Sequence, residues 1–231
     1  MPNEQKILDK SRTILIWDGA VRLFHWSIVL LVLACWISAE NGMMDLHILC
    51  GLAVLGLLIF RIIWGFIGSP TARFAQFLRG PRAVIGHLRW LIRGGQHGQS
   101  LGHNPLGGWA VMALLGLMGV QALTGLGSYD MIFSVGGPLA PHLPEEWSDR
   151  LTAWHHQNFD LLMAMIGVHV AAIIVYRLLR RQDLLTPMLT GRKKQIDNAP
   201  ELGIRPPSPW LAAGLLAVSL AASYSLLALA G

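Results

Sequence analysis

Five stretches of about twenty residues, nearly free of charge, constrain this chain more than anything else in it. Twenty residues of helix rise about 30 Å, the thickness of a bilayer's hydrocarbon core, and a helix satisfies its backbone polar groups without water. The stretches run at about 22–40, 46–67, 107–127, 154–177 and 210–230. Composition agrees: 53% of the 231 residues are hydrophobic and 13% charged, against about 25% charged in a soluble domain. No strand alternation or hairpin dipeptide pattern competes, which argues against a β-barrel. The expectation is an all-α integral membrane protein.

Basic residues orient the spans. Lys6, Lys10, Arg12 and Arg22 precede or open the first span. Arg61, Arg73, Arg79, Arg82, Arg89 and Arg93 lie between the second and third, and Arg177, Arg180, Arg181, Arg192, Lys193, Lys194 and Arg205 between the fourth and fifth. Of the Lys and Arg residues only Arg150 lies on the opposite side, beside Glu40, Asp45, Asp130, Glu145, Glu146 and Asp149. The positive-inside rule then places the N-terminus in the cytoplasm and the C-terminus outside. A net charge of +5 therefore describes a face drawn to anionic lipid, and no nucleic acid is expected as a partner. The first span follows a charged start without a small-residue cleavage site and reads as an anchor. Cys35 and Cys50 have no CxxC partner, so a disulfide, a zinc site and a c-type haem attachment are poorly supported.

Connections are legible too. Pro81 opens a stretch to Arg93 that is basic on one side and apolar on the other, an interfacial helix. Residues 1–181 form the expected core. Residues 182–209, with Pro187, Pro200, Pro206, Pro207 and Pro209, read as a stiff cytoplasmic linker. The last span, at 210–231, has no histidine and reads as detachable from the chemistry, an oligomerisation or partner-docking element.

Intramembrane histidines carry the functional signal, because an ionisable group in a span is costly and tends to mark function. His155 and His169 lie fourteen residues apart. At 100° and 1.5 Å per residue that is about 1400° and roughly 21 Å, so both project from one helix face at two depths. The alternating direction of the spans puts His47 at the outer depth with His155, and His25 at the inner depth with His169. His156 is about 140° off the shared face and points elsewhere. Two layers of paired imidazoles from different helices are what two stacked bis-histidine haems require, and neutral imidazole is a standard axial ligand.

Other residues carry two readings. Gly51 and Gly56, and Gly116 and Gly119, either let a flat porphyrin approach the backbone or serve close helix packing. Arg22 and Arg61 either neutralise propionates of the inner haem or anchor the topology. Asp160 either accepts a hydrogen bond from a ligand imidazole or takes part in proton transfer. His87, His97, His103 and His142 read as solvated or interfacial, and the tryptophans near span ends as an interfacial belt.

The chain resembles bacterial cytochrome b561 and the b-type cytochrome subunit of nickel–iron hydrogenases. Matching stretches are Trp17-Asp18 with Arg22-Leu-Phe-His25-Trp26; His47 with Phe60-Arg61-Ile-Ile-Trp64-Gly65 and Ala72-Arg73-Phe74; Gly102-His103-Asn104-Pro105-Leu-Gly107-Gly108 with Thr124-Gly125; and His155 with His169-Val170. The resemblance implies a four-helix bundle binding two haem b groups at His25, His47, His155 and His169, to which this chain adds a C-terminal transmembrane helix. His156 departs from relatives that carry Glu there. The resemblance further implies electron relay between a periplasmic redox protein (a c-type cytochrome or hydrogenase-type subunit) and quinone, as an electron-transfer subunit with quinone oxidoreductase activity. A homo-oligomer is compatible with this. The rival expectations are a non-redox membrane anchor or assembly subunit, which would purify without haem, and a proton or metal transporter. A transporter needs polar residues across the bilayer, whereas Leu161 to Val168 is apolar apart from Gly167.

Overall fold

The computed structural model describes residues 13–93, 102–194 and 207–229. Lys6, Lys10, Arg12, His97, Pro200, Arg205 and Pro206 lie outside the described residues. Five helices are long and apolar enough to cross a membrane: α1 (Gly19–Glu40), α2 (Met44–Ile67), α5 (Pro105–Gly127), α6 (Glu145–Arg180) and α8, which with a closing 3-10 turn covers Pro209–Leu229. Between them lie α3 (Phe74–Phe77), α4 (Pro81–Arg93) and α7 (Leu185–Thr190). Two small antiparallel ribbons complete the fold. β1 (Thr13–Leu15) pairs with β4 (Arg192–Lys194), and β2 (Tyr129–Asp130) with β3 (Val135–Gly136).

Each expected span is present. The fourth is longer than its apolar stretch, because Glu145 and Glu146 in the first turn suit the positive end of the helix dipole. Pro144 precedes them, and Glu146 pairs with Arg150 at 2.5 Å, so a polar extension continues the helix beyond the apolar segment.

The helix α2 is central. Half of its span is buried, against 11–17% for the other four, and it packs along α1, α8 and part of α5. Leu52, Leu57, Leu58, Phe60 and Trp64 supply that core. The last span is not set apart: a Cβ at Gly56 would lie 2.8 Å from Leu220 Cδ2 and Ser223 Oγ, so a small residue is what lets α8 approach. Tyr224 Oη also donates to the Leu49 carbonyl at 3.0 Å. α5 and α6 form the second tight pair, while α6 makes no comparable contact with α1 or α2. Space is therefore left between the α1–α2 and α5–α6 pairs.

The two ends of the bundle are built differently. At the basic end Asp18 caps α1, accepting from Val21 N at 2.7 Å and from Trp64 Nε1 at 3.2 Å, with the Ser69 hydroxyl as a third donor. Residues 185–194 of the linker form α7 and β4 and clasp the start of α1. Ile16 and Trp17 donate to the Gly191 carbonyl at 2.8 and 3.1 Å, Arg22 Nη1 to Leu189 O at 2.6 Å and Trp26 Nε1 to Met188 O at 3.3 Å. Gly191, at φ 79°, needs glycine twice over, since a Cβ would also lie 2.7 Å from the Trp17 carbonyl. Local sequence between α2 and α5 keeps α4 amphipathic, and α4 is latched to α6. His87 Nε2 and the Tyr176 hydroxyl share a hydrogen bond of 2.6 Å, and Arg180 donates to the Trp90 carbonyl at 2.8 Å. At the acidic end the β2–β3 ribbon covers the α1–α2 turn, with Phe133 against Gly42.

Candidate functional site

His155 and His169 lie on one unbroken helix, so their fourteen-residue separation gives an axial offset of roughly 21 Å. His155 faces a histidine from the α1–α2 pair. His47 and His155 have ring centres 6.1 Å apart at 80°. A metal–imidazole bond of about 2 Å puts two imidazoles sharing one ion roughly 6 Å apart, centre to centre. His25 and His169 are within electrostatic reach of each other at the other depth. His156 is exposed and its ring lies across that of His155, at 84°.

The acidic-end pair is held by its surroundings. His47 Nδ1–H donates to the Cys35 carbonyl at 2.9 Å, tying α2 to α1. His155 Nδ1–H donates to the Gln121 carbonyl at 3.0 Å, with Thr124 Oγ1 at 3.2 Å from the same nitrogen. The Gln121 side chain is oriented by Asn158, whose Nδ2 donates to Gln121 Oε1 at 2.7 Å. The Gln121 Nε2 at 3.0 Å from His155 Nε2 is therefore the donor there. In both rings the proton sits on Nδ1 and the lone pair on Nε2, the tautomer that a ring nitrogen needs to bind a metal. Gly125 admits the ring: a Cβ there would lie 3.0 Å from His155 Cε1.

The basic-end pair is surrounded by unused donors. Among the described residues Arg22 Nε, His25 Nδ1, Arg61 Nη1 and His103 Nδ1 are buried without a hydrogen-bond partner. Arg61 is 3% exposed, gives one Nη2 bond to the Ala72 carbonyl at 3.2 Å and lies over the Phe74 ring. His103 sits between Trp17 and Phe77, each ring centre 4.6 Å away. Its pKa is pushed down to about 3 by burial, and further by the positive charge of Arg61 and by His169, so it is a neutral imidazole at neutral pH.

The glycines divide. At Gly51, Gly116 and Gly119 an added Cβ would meet nothing within 4 Å, whereas Gly56 is taken up by α8. Asp160 is exposed, and carbonyl oxygens rather than its carboxylate hold the Nδ1 protons of His47 and His155. His87 is buried, and His103 is half-buried with its Nδ1 enclosed; each is reached by a distant aromatic residue that its own neighbourhood in sequence does not reveal. His142, at the acidic end, bonds the Leu229 carbonyl through Nε2 at 2.7 Å.

The sequence profile of the prokaryotic cytochrome b561 family matches residues 16–191. The chain belongs to that family. Among its relatives is a probable Ni/Fe-hydrogenase B-type cytochrome subunit of Rhizobium leguminosarum bv. viciae, 22% identical over 79% of this chain and 89% of the relative. Another of the same description, from Cupriavidus necator, is 26% identical over 76% and 85%. A probable superoxide oxidase CybB of Yersinia pestis is 24% identical over 73% and 93%. No solved structure matches. This cytochrome b561 family member is a multi-pass transmembrane electron-transfer cytochrome, and the b-type family binds haem b. The residues present fit such a group. They offer imidazoles paired across two helix pairs, space beside Gly51 and Gly119, and unpartnered nitrogens at one end.

Gln121, Thr124, Gly125, Asn158 and His103 were not assigned to the site from sequence. Thr124-Gly125 and the His-Asn-Pro-Leu-Gly-Gly run were visible as motifs, yet only the packing of α5 on α6 and of the α2–α5 connection on α1 shows what they touch.

Proposed function

We propose that this cytochrome b561 relays single electrons across the bacterial inner membrane, between a redox protein at its acidic, periplasmic end and the quinone pool. Two haem b groups are held by His47 with His155 and by His25 with His169. The observation that carries the reading is the placement of the His47 and His155 rings 6.1 Å apart on facing helices, with both Nδ1 protons fixed on carbonyls. Each bound haem supplies a one-electron ferric–ferrous couple, and two nitrogen ligands leave no open iron position for oxygen chemistry. The chain's own part is to present Nε2 from rigid helices, with Gln121 turning aside from His155 as the ligand binds. Gly51 and Gly119 admit the porphyrin, and Arg22 and Arg61 face the propionates of the basic-end group.

Charge supports the assignment of ends. The basic end takes the cytoplasmic side under the positive-inside rule. The acidic end holds a cavity of about 760 Å³ beside Asp45, Tyr129, Met131, Glu145 and Asp149. Such a face suits a basic docking surface, of a c-type cytochrome or a hydrogenase-type subunit, and repels a small anion. The oxidase activity named for the Yersinia relative is therefore not carried to this chain.

The test is a reduced-minus-oxidised spectrum with a pyridine haemochrome assay on detergent-purified protein, alongside His155→Ala and His169→Ala. Two b haems per chain, with each variant losing mainly one, is the expected result. No haem, or full haem in both variants, would overturn the ligand assignment.

A further inference from the structure

Five buried nitrogens without partners lie at the basic end of the bundle, Arg180 Nε among them, and the acidic-end layer has none among the described residues. Burying a donor without an acceptor is costly, so a cluster of such donors calls for a ligand rich in acceptor oxygens. Two of them belong together. His103 lies within electrostatic reach of both Arg61 and His169, which places it at the depth of the His25–His169 pair. Arg61 is almost wholly buried and keeps Nη1 free. The carboxylate of Asp18 lies within electrostatic reach of Arg61, but one of its oxygens is on the Val21 amide and the other on Trp64 Nε1 and the Ser69 hydroxyl. The ring of His103 is held between Trp17 and Phe77, so the direction of its Nδ1 is preset, and with the proton on that nitrogen it is a donor.

We propose that His103 Nδ1 and Arg61 Nη1 form a two-donor cradle for a propionate carboxylate of the basic-end haem, making His103 a cofactor-binding residue on the loop that leads into α5. The proposal rests on the two-haem reading above. It also accounts for the His-Asn-Pro run, since Asn104 caps α5 through Gly107 N at 2.7 Å and so fixes where His103 enters the bundle. A neutral donor beside a guanidinium fits one carboxylate. The charge is met by Arg61 and the second oxygen by the imidazole N–H, a charge-assisted arrangement stronger than a neutral pair.

The experiment is a spectroelectrochemical titration of both haems in the full-length purified protein. Wild type is compared with His103→Ala and His103→Gln, each loaded with haem b or with its propionate dimethyl ester. Losing a donor leaves more negative charge near the iron and favours the ferric form. In His103→Ala the haem that is absent from His169→Ala should therefore shift to lower potential, with the other unmoved. His103→Gln, which keeps an N–H donor, should restore most of the shift. With the dimethyl ester, His103→Ala should cause no further shift. Unmoved potentials in His103→Ala, or the same shift with native and esterified haem, would overturn the cradle and leave the two-haem reading standing. A chain that takes up no haem would overturn both. If His103→Ala fails to fold, the wild-type response to esterification still decides: no change at the basic-end haem removes the cradle.

Discussion

The two histidine layers use the same residue type in opposite surroundings. At the acidic end the Nδ1 atoms of His47 and His155 each meet a backbone carbonyl, and Gln121, Thr124 and Asn158 fill out the network. At the basic end His25 Nδ1 has no partner, and Arg22, Arg61 and His103 add three more unpaired nitrogens. The imidazoles of one layer are oriented by backbone carbonyls; the other layer keeps buried nitrogens that no protein atom meets. The difference follows from location. The acidic-end layer is closed by helix backbones packed pairwise, α1 with α2 and α5 with α6. The basic-end layer lies beneath the long α2–α5 connection, which brings polar side chains over it.

The comparison is broken most severely by removing ligands one layer at a time. His47→Ala should abolish the acidic-end haem and His25→Ala the basic-end haem, each halving the haemochrome yield, with none left in the double variant. Equal loss of both haems in either single variant would mean that the layers are not independent sites.

Next in size is the hydrogen-bonded core that seats the basic end. Asp18 is 2% exposed and accepts from three donors. Asp18→Ala should lower stability by about 1–3 kcal/mol, the cost of stranding buried donors. A thermal melt followed by tryptophan fluorescence checks this. The expected pattern is a lower midpoint with the acidic-end haem spectrum unchanged.

A smaller and one-sided effect is expected at Gly125. A side chain there must displace His155, since its Cβ would begin 3.0 Å from Cε1. Gly125→Val should broaden or shift the low-temperature α-band of the acidic-end haem, cost about 1–3 kcal/mol as overpacking does, and leave the basic-end band in place. If the basic-end band moves instead, the assignment of layers to bands is reversed.

The spans and the two depths of His155 and His169 were readable because hydropathy and the 3.6-residue period are local, and because α6 is continuous between them. Depth therefore followed from counting. What surrounds each imidazole was not readable. Gln121 and His155 are 34 residues apart, and Trp17 and His103 are separated by most of the first two spans; both contacts depend on which helices pack together. Gly56 shows the same limit from the other side. It carried the same two readings as Gly51, yet α8 covers one and open space adjoins the other. Nor did the proline content of the linker reveal that its first part would fold into α7 and β4 and hold the start of α1, because that clasp depends on the carbonyls of Met188, Leu189 and Gly191.

The smallest effect tests whether that clasp matters to the basic end. Asp183 sets the start of α7. Its carboxyl is held below the usual range mainly by the Thr186 hydroxyl and then the Thr186 amide; burial opposes them, and the Leu185 amide and Arg177 add smaller effects. A folded-state pKa below the unfolded one means that ionised Asp183 favours the folded segment. Its contribution is complete above about pH 4 and is lost as pH falls through the lower folded value. The group is largely exposed, so solvent screening keeps the effect small. Hydrogen exchange at the Ile16 and Trp17 amides, which donate to Gly191, reads it directly. At neutral pH Asp183→Ala should exchange faster at these two positions than wild type; at about pH 3 the gap should narrow, because protonated Asp183 no longer anchors α7. No gap at either value would show that the clasp is held by the β1–β4 ribbon and the Arg22 and Trp26 bonds alone. The basic end would then owe its order to α1 and not to the segment folded over it.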